Sequence, residues 1–345
     1  MQTDKIKKAI AIVGENEDED YVLKPNDHAQ LFADEIPELA WTLRSAELEG
    51  VAARYDEYDQ VALTTQNQFK TYSDKARRYV FLTAGCSALL LVSATLFGGA
   101  DDQSLARILF IILSAAAIVT GFLASTNIRL VENLKLLEKW MRQRANAEMQ
   151  RLEYFNRFIR RPVEKSGDPV LSRLLQLEFF RRFQLDMQLN YYTQRGIQHG
   201  VEAAKAASVS TWAMGAAGLA AGIAGFLGSV IDAKWAAIAG FGFICQAFAA
   251  NVLSREAINQ DRRNEERYGR TREILLNLRM RLDQVREQIS TGDTAVLEKY
   301  VAAVHEQLSV EHRQWTDDIG MASKALVELE EQLKKTESAT TSQNT

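Results

Sequence analysis

Four stretches of this chain are almost free of charge: Tyr79 to Phe97, Leu105 to Ala124, Val209 to Ile231 and Trp235 to Leu253, interrupted only by Arg107 at the rim of the second. A bilayer hydrocarbon core of about 30 Å takes roughly 20 residues of helix, and a chain in lipid must satisfy its own backbone hydrogen bonds. All four stretches meet that length. The fold class they predict is an all-α membrane protein with two transmembrane helical hairpins, four spans in all, and long cytoplasmic helices forming a bundle or stalk. The competing assignment is a set of buried core helices in a large soluble bundle. Averages conceal the pattern, because 25% of the 345 residues are charged and the mean hydropathy is -0.20.

Only Gly98 to Ser104 separate the first two spans, and only Asp232, Ala233 and Lys234 separate the last two, so each pair must turn back at once. Orientation follows from Lys and Arg near the helix ends. Lys70, Lys75, Arg77 and Arg78 precede the first span, and Arg129, Lys135 and Lys139 follow the second. Arg195 and Lys205 precede the third, and Arg255, Arg262 and Arg263 follow the fourth. The hairpin tips carry Lys234 and Arg107 beside Asp101, Asp102 and Asp232. This bias places both termini in the cytoplasm. The Lys5 to Lys8 cluster is followed by only five apolar residues, Ala9 to Val13, so no secretory signal is expected.

The chain divides into an acidic, disordered leader (1–35), a first hairpin with flanking helices (36–165), a second hairpin with flanking helices (166–335) and a disordered polar tail (336–345). Ile36 to Arg78 repeats apolar residues at a helical period and is expected to run directly into the first span. Asn127 to Arg161 has no Gly or Pro and reads as one long helix until Pro162. In the second half, Leu275, Leu278, Leu282, Val285 and Ile289 step by three and four, a narrow coiled-coil-like seam with packing as its default role. Ala322, Leu326, Leu329 and Leu333 form a later stripe. Because both hairpins run in the same sense, the repeat is parallel, unlike the inverted repeats of many secondary transporters.

The third span is built of small residues: Gly215, Gly218, Gly222, Gly225 and Gly228 alternate with alanines, and Gly218 with Gly222 forms a GxxxG. Such residues let backbones approach closely in lipid, either within one chain or between subunits of a homo-oligomer. A third role is lining a narrow pore. Gln246 and Asn251 are the amides of the fourth span, which interhelical hydrogen bonding or a polar cavity would satisfy. Asp101, Asp102 and Asp232 are short-turn residues that an oligomer could gather into an acidic mouth.

No buried carboxylate, Lys or His stands in the spans, which argues against a pump. Cys86 and Cys245 both lie inside spans, where packing is the expected role. His305 and His312 superficially suggest a zinc helix, but seven residues separate them by about 10 Å, too far to share an ion at about 2 Å. No P-loop, dinucleotide fingerprint or nucleophile elbow occurs. Hence no catalytic residue, cofactor or metal is expected, and no nucleic-acid partner.

A cytoplasmic helix, a hairpin, and a charged helix carrying Trp140-Met141-Arg142-Gln143-Arg144 with Glu148 resemble the SLATT family, bacterial 2TM effectors that associate with SMODS and SLOG proteins. Tyr268-Gly269-Arg270-Thr271-Arg272, the helix Leu275 to Val285, Tyr300 to Glu306 and Glu311 to Trp315 resemble the C-terminal region of members with two hairpins. The likeness covers Glu35 to Trp315 through loose helical motifs. It implies a membrane effector of a conflict or antiphage system that forms a pore or perturbs the membrane when a nucleotide-signalling or sensor protein activates it. The alternative is a non-conducting anchor that recruits a cytoplasmic partner through its stalk helices.

Overall fold

The structure, a computed structural model, describes residues 2–17, 22–97, 104–161, 168–317, 324–325 and 327–334; among these it contains helices and no strand. The elements are α1 (Gln2–Val13), α2 (Pro25–Leu31), α3 (Pro37–Leu43), α4 (Ala46–Phe97), α5 (Ser104–Asn133), α6 (Leu136–Arg160), α7 (Pro169–Phe180), α8 (Met187–Val230), α9 (Ile238–Asn259), α10 (Asp261–Met280), α11 (Leu282–Ser290) and α12 (Val296–Asp317). A π-helix, Arg181–Asp186, joins α7 to α8, and a 3-10 turn, Ala233–Ala237, precedes α9. Four helical stretches are long and apolar enough to cross a membrane. As expected, α4 runs unbroken into the first span, but the helix expected from Ile36 is broken at Arg44 and Ser45, between α3 and α4. The helix after the second span is broken too: Lys135 (φ 46°) separates α5 from α6, and Gln260 (φ 53°) likewise separates α9 from α10.

Two compact units form, and neither is one of the two successive halves expected from the sequence. The first takes residues 1–64, 139–198 and 263–317; the second takes 65–138, 199–262 and 318–345. The correction has a simple cause. Segments of like solvent preference assemble with each other across the repeat, so the amphipathic helices of both halves share one core and the apolar spans of both halves share another unit.

The first unit has an aromatic interior. Phe155 and Phe158 of α6 meet Phe179 and Phe180 of α7 and Phe183 of the π-helix, with ring centroids 4.6 Å apart for Phe158–Phe179 and 4.4 Å for Phe179–Phe183. The leader belongs to this core rather than to solvent. Ala9 and Val13 of α1, together with Leu23, Ala29 and Phe32, are buried in it. The acidic run had masked these apolar positions, and α1 is further held at its C-terminus, where Arg182 donates to the Val13 carbonyl (2.7 Å) and Arg181 to that of Gly14 (2.5 Å). Helix-end carbonyls lack intrahelical partners, so two guanidiniums there satisfy both hydrogen bonding and the helix dipole. The seam residues Leu275, Leu278, Leu282, Val285 and Ile289 all lie in the same core, although Arg281 interrupts the helix that carries them.

In the second unit the packing is reversed. At most 28% of each span's most apolar window is buried within the chain, and Trp212, Ile118, Phe122 and Leu219 stand outward. Most positions buried inside the spans are small, Ala88, Ala117, Ala124, Ala217, Ala220, Ala224 and Ala249 with Gly240 and Gly242, and Val80 and Leu90 are the larger exceptions. Val80 and Ile128 pack with Leu329 and Leu333 of the later stripe, whose Ala322 and Leu326 fall outside the described residues.

Candidate functional site

Of the third-span glycines only Gly228 packs inside the chain, against Ala236, and the other four meet none of the described residues. A Cβ added at Gly215, Gly218, Gly222 or Gly225 meets no atom within 4 Å, and all four positions are exposed. The opposite side of α8 makes the internal contact: Ala217, Ala220 and Ala224 are buried, and a Cβ on Gly242 of α9 would approach the Ala217 carbonyl oxygen to 3.1 Å and the Ala220 Cβ to 3.5 Å. A Cβ on Gly240 would clash with Val92 of α4. Close helix approach therefore depends on α9 glycines that the sequence pattern left unnoticed, while the GxxxG faces outward.

The two amides separate. Asn251 makes an interhelical contact, accepting through its Oδ1 from Arg77 of α4, whose Nη2 also reaches Asp74 Oδ1 at 3.1 Å. A cation at the rim of a span is thereby held by an amide and a carboxylate, as expected of interhelical bonding. Gln246 is exposed on α9 and has no hydrogen-bond partner among the described residues. Asp232 caps the 3-10 turn by accepting from the Lys234 backbone N–H at 2.9 Å, which gives it a local turn role. Asp101 and Asp102 lie outside the described residues.

The most heavily built polar site lies in the first unit, at the π-helix. Glu178 and Asp186 are nearly inaccessible, and three arginines share them. Arg286 grips Glu178 with Nε (2.7 Å) and Nη2 (2.9 Å), and Arg181 donates Nε to the same carboxylate at 2.7 Å. Arg181 then donates Nη1 to Asp186 at 2.8 Å, and Arg279 donates Nε to the other Asp186 oxygen at 2.7 Å. The order Arg286–Glu178–Arg181–Asp186–Arg279 is a ladder of five charges. The π-helix makes it possible, since its i→i+5 spacing stacks Arg181 over Asp186, which an α-helix would turn to different faces. Buried carboxylates need such partners, because desolvation otherwise costs several kcal/mol per ion, by about the measure expected for protein interiors.

A second network lies along α4 and α6. Arg144 contacts Asp59 at 2.7 Å and Glu148 at 2.5 Å, and the fully buried Arg151 donates to the Tyr55 hydroxyl at 2.8 Å with its guanidinium 4.8 Å from that ring centre. Arg144 and Glu148 of the charged helix are thus structural partners. His305 is buried beside Phe180, with Nδ1 3.0 Å from Asn156 Oδ1, and burial lowers its pKa to about 4. Glu311 accepts from the Tyr192 hydroxyl at 3.1 Å instead of joining His305 at a metal. No group of three His, Cys, Asp or Glu suited to a metal occurs among the described residues.

Sequence reading missed the ladder. Its signal was present in Val170 to Asp186, whose Leu and Phe residues are spread over every helical face instead of one stripe, so the charges between them are drawn into the core as well. No known protein-family profile, no curated protein and no solved structure matches this chain.

Proposed function

We propose that this protein is a multi-pass component of the bacterial inner membrane, with N- and C-termini cytoplasmic, that acts as a membrane effector in a conflict or antiphage system. It oligomerises through the outward glycine face of the third span and forms a pore or perturbs the bilayer when a sensor protein or nucleotide signal triggers it. One observation carries this reading: on an apolar helix, Gly215, Gly218, Gly222 and Gly225 present a smooth surface that none of the described residues covers. In lipid, association is driven by close backbone approach, so a second copy of this chain is the natural complement to such a face. The Lys and Arg bias supports the orientation, and the resemblance to the SLATT family supports the conflict role.

The test is inducible expression in a bacterial host with a potential-sensitive dye, comparing wild type with the Gly218→Leu/Gly222→Leu double variant. Open space around both glycines means the substitution leaves internal packing intact. Loss of potential in wild type alone supports the effector. Normal potential in both, with the protein inserted and the trigger supplied, favours a non-conducting anchor whose first unit, folded around its own aromatic core, recruits the partner.

A further inference from the structure

Beside the ion-pair ladder is a cavity of about 320 Å³, lined by Arg181, Arg279 and Arg286, by Glu15 and Asp283, and by the apolar Ile10, Leu276, Met280 and Leu282. Within the ladder three guanidiniums share two buried carboxylates, which leaves one positive charge in excess. Solvent-exposed acids offset it. Glu15, with 78% of its side chain exposed, lies 3.4 Å from Arg181, and Asp283, 89% exposed, lies 2.7 Å from Arg286. In each pair the arginine is buried (Arg181 3%, Arg286 12% exposed) and only the acid is solvated, so water and the entropy of a mobile side chain oppose the acid's hold on it. The buried carboxylates are fixed, whereas Glu15 and Asp283 are easily exchanged for another anion.

Arg279 supplies the free valence. Among the described residues only its Nε is engaged, on Asp186, with no hydrogen bond from either Nη, and nearly half of the side chain is exposed. We infer that this cavity is a binding site for a small organic phosphate, whose phosphoryl oxygens replace the Glu15 and Asp283 carboxylates on Arg181, Arg279 and Arg286 while its organic part rests on Ile10, Leu276, Met280 and Leu282. Guanidinium forks match phosphoryl oxygens with paired N–H donors. A volume near 320 Å³ is at the lower end of small-molecule sites, which suits a single phosphorylated group with a compact organic part. The cavity and all its lining residues belong to the first unit, so the site stands independently of whether the spans conduct.

Phenyl phosphate is the probe, titrated by calorimetry into the purified full-length protein in detergent. Binding in the wild type should weaken at least about tenfold in Arg279→Gln, a change that leaves Asp186 paired with Arg181. In the Glu15→Gln/Asp283→Asn double variant it should tighten by about tenfold, because the competing carboxylates are gone. A purely structural ladder predicts no tightening. The site is overturned if neither wild type nor the double variant binds phenyl phosphate up to about 10 mM, or if Arg279→Gln binds as wild type does. Competition arms identify the source: displacement by dihexanoyl phosphatidic acid but not by glycerol phosphate supports the site with a lipid headgroup as its phosphate, and displacement by both supports it with a soluble one.

Discussion

The two units solve the same packing problem with opposite materials. The first fills its centre with Phe155, Phe158, Phe179, Phe180 and Phe183 and keeps charge at its margins or in hydrogen-bonded ion-pair networks. The second brings helices together on Ala217, Ala220, Gly240 and Gly242 and turns Trp212, Phe122 and Leu219 outward. Water rewards burial of bulk, whereas lipid is as apolar as leucine and rewards only close fit. The contrast is thus an indication of solvent: one unit is organised for water, the other for hydrocarbon.

Removal of bulk should damage only the first unit. Phe179→Ala deletes a fully buried ring that touches Phe158 and Phe183, and it should cost about 3 to 5 kcal/mol in thermal or chemical unfolding, whereas Leu219→Ala on the outward side of α8 should cost almost nothing. Equal losses would erase the comparison.

Acid should likewise act on the first unit. His305 has a folded pKa of about 4 against an ordinary 6.5, so the unfolded chain takes up a proton that the folded one refuses. The stability this neutral imidazole preserves is complete above pH 6.5 and is lost as pH falls from there toward 4, by up to about 3 kcal/mol. Melting temperatures measured across that window should fall in wild type, and His305→Gln should remove that part of the slope.

Addition of bulk should damage only the second unit, and by less. Gly242→Leu drives a side chain into the Ala217 carbonyl and should cost about 1 to 3 kcal/mol, while Gly218→Leu, with open space around it, should leave the melting curve of the monomer unchanged. A destabilised Gly218→Leu would place the GxxxG face inside the fold after all.

Much of this was legible in the sequence, and unevenly so. The spans stood out because composition alone sets them: Tyr79 to Phe97 carries no charge, and no tertiary contact is needed to read that. Asn251 was recognised as a group needing a partner, though Arg77, distant in the chain, could not be named. The division into units was hidden because it depends on which distant segments meet. The leader was misread since its acidic residues outweighed the short apolar run Ala9 to Val13 and the scattered Leu23, Ala29 and Phe32. The ladder was hidden for a further reason: a π-helix changes which side chains stack, and periodicity at 3.6 residues cannot anticipate Arg181 over Asp186.

Lys135 and Gln260 give the hairpins a mechanical character. Each half enters its hairpin on a helix without interruption, α4 or α8, and leaves it across a non-glycine residue in the left-handed region. Continuous helix carries torque along its axis, and a left-handed residue sheds it at a cost of about 1 to 2 kcal/mol in local strain. Every hairpin accordingly has one stiff leg and one jointed leg, so a twist delivered through α4 or α8 reaches the bilayer segment, while a twist delivered through α6 or α10 is absorbed at the joint.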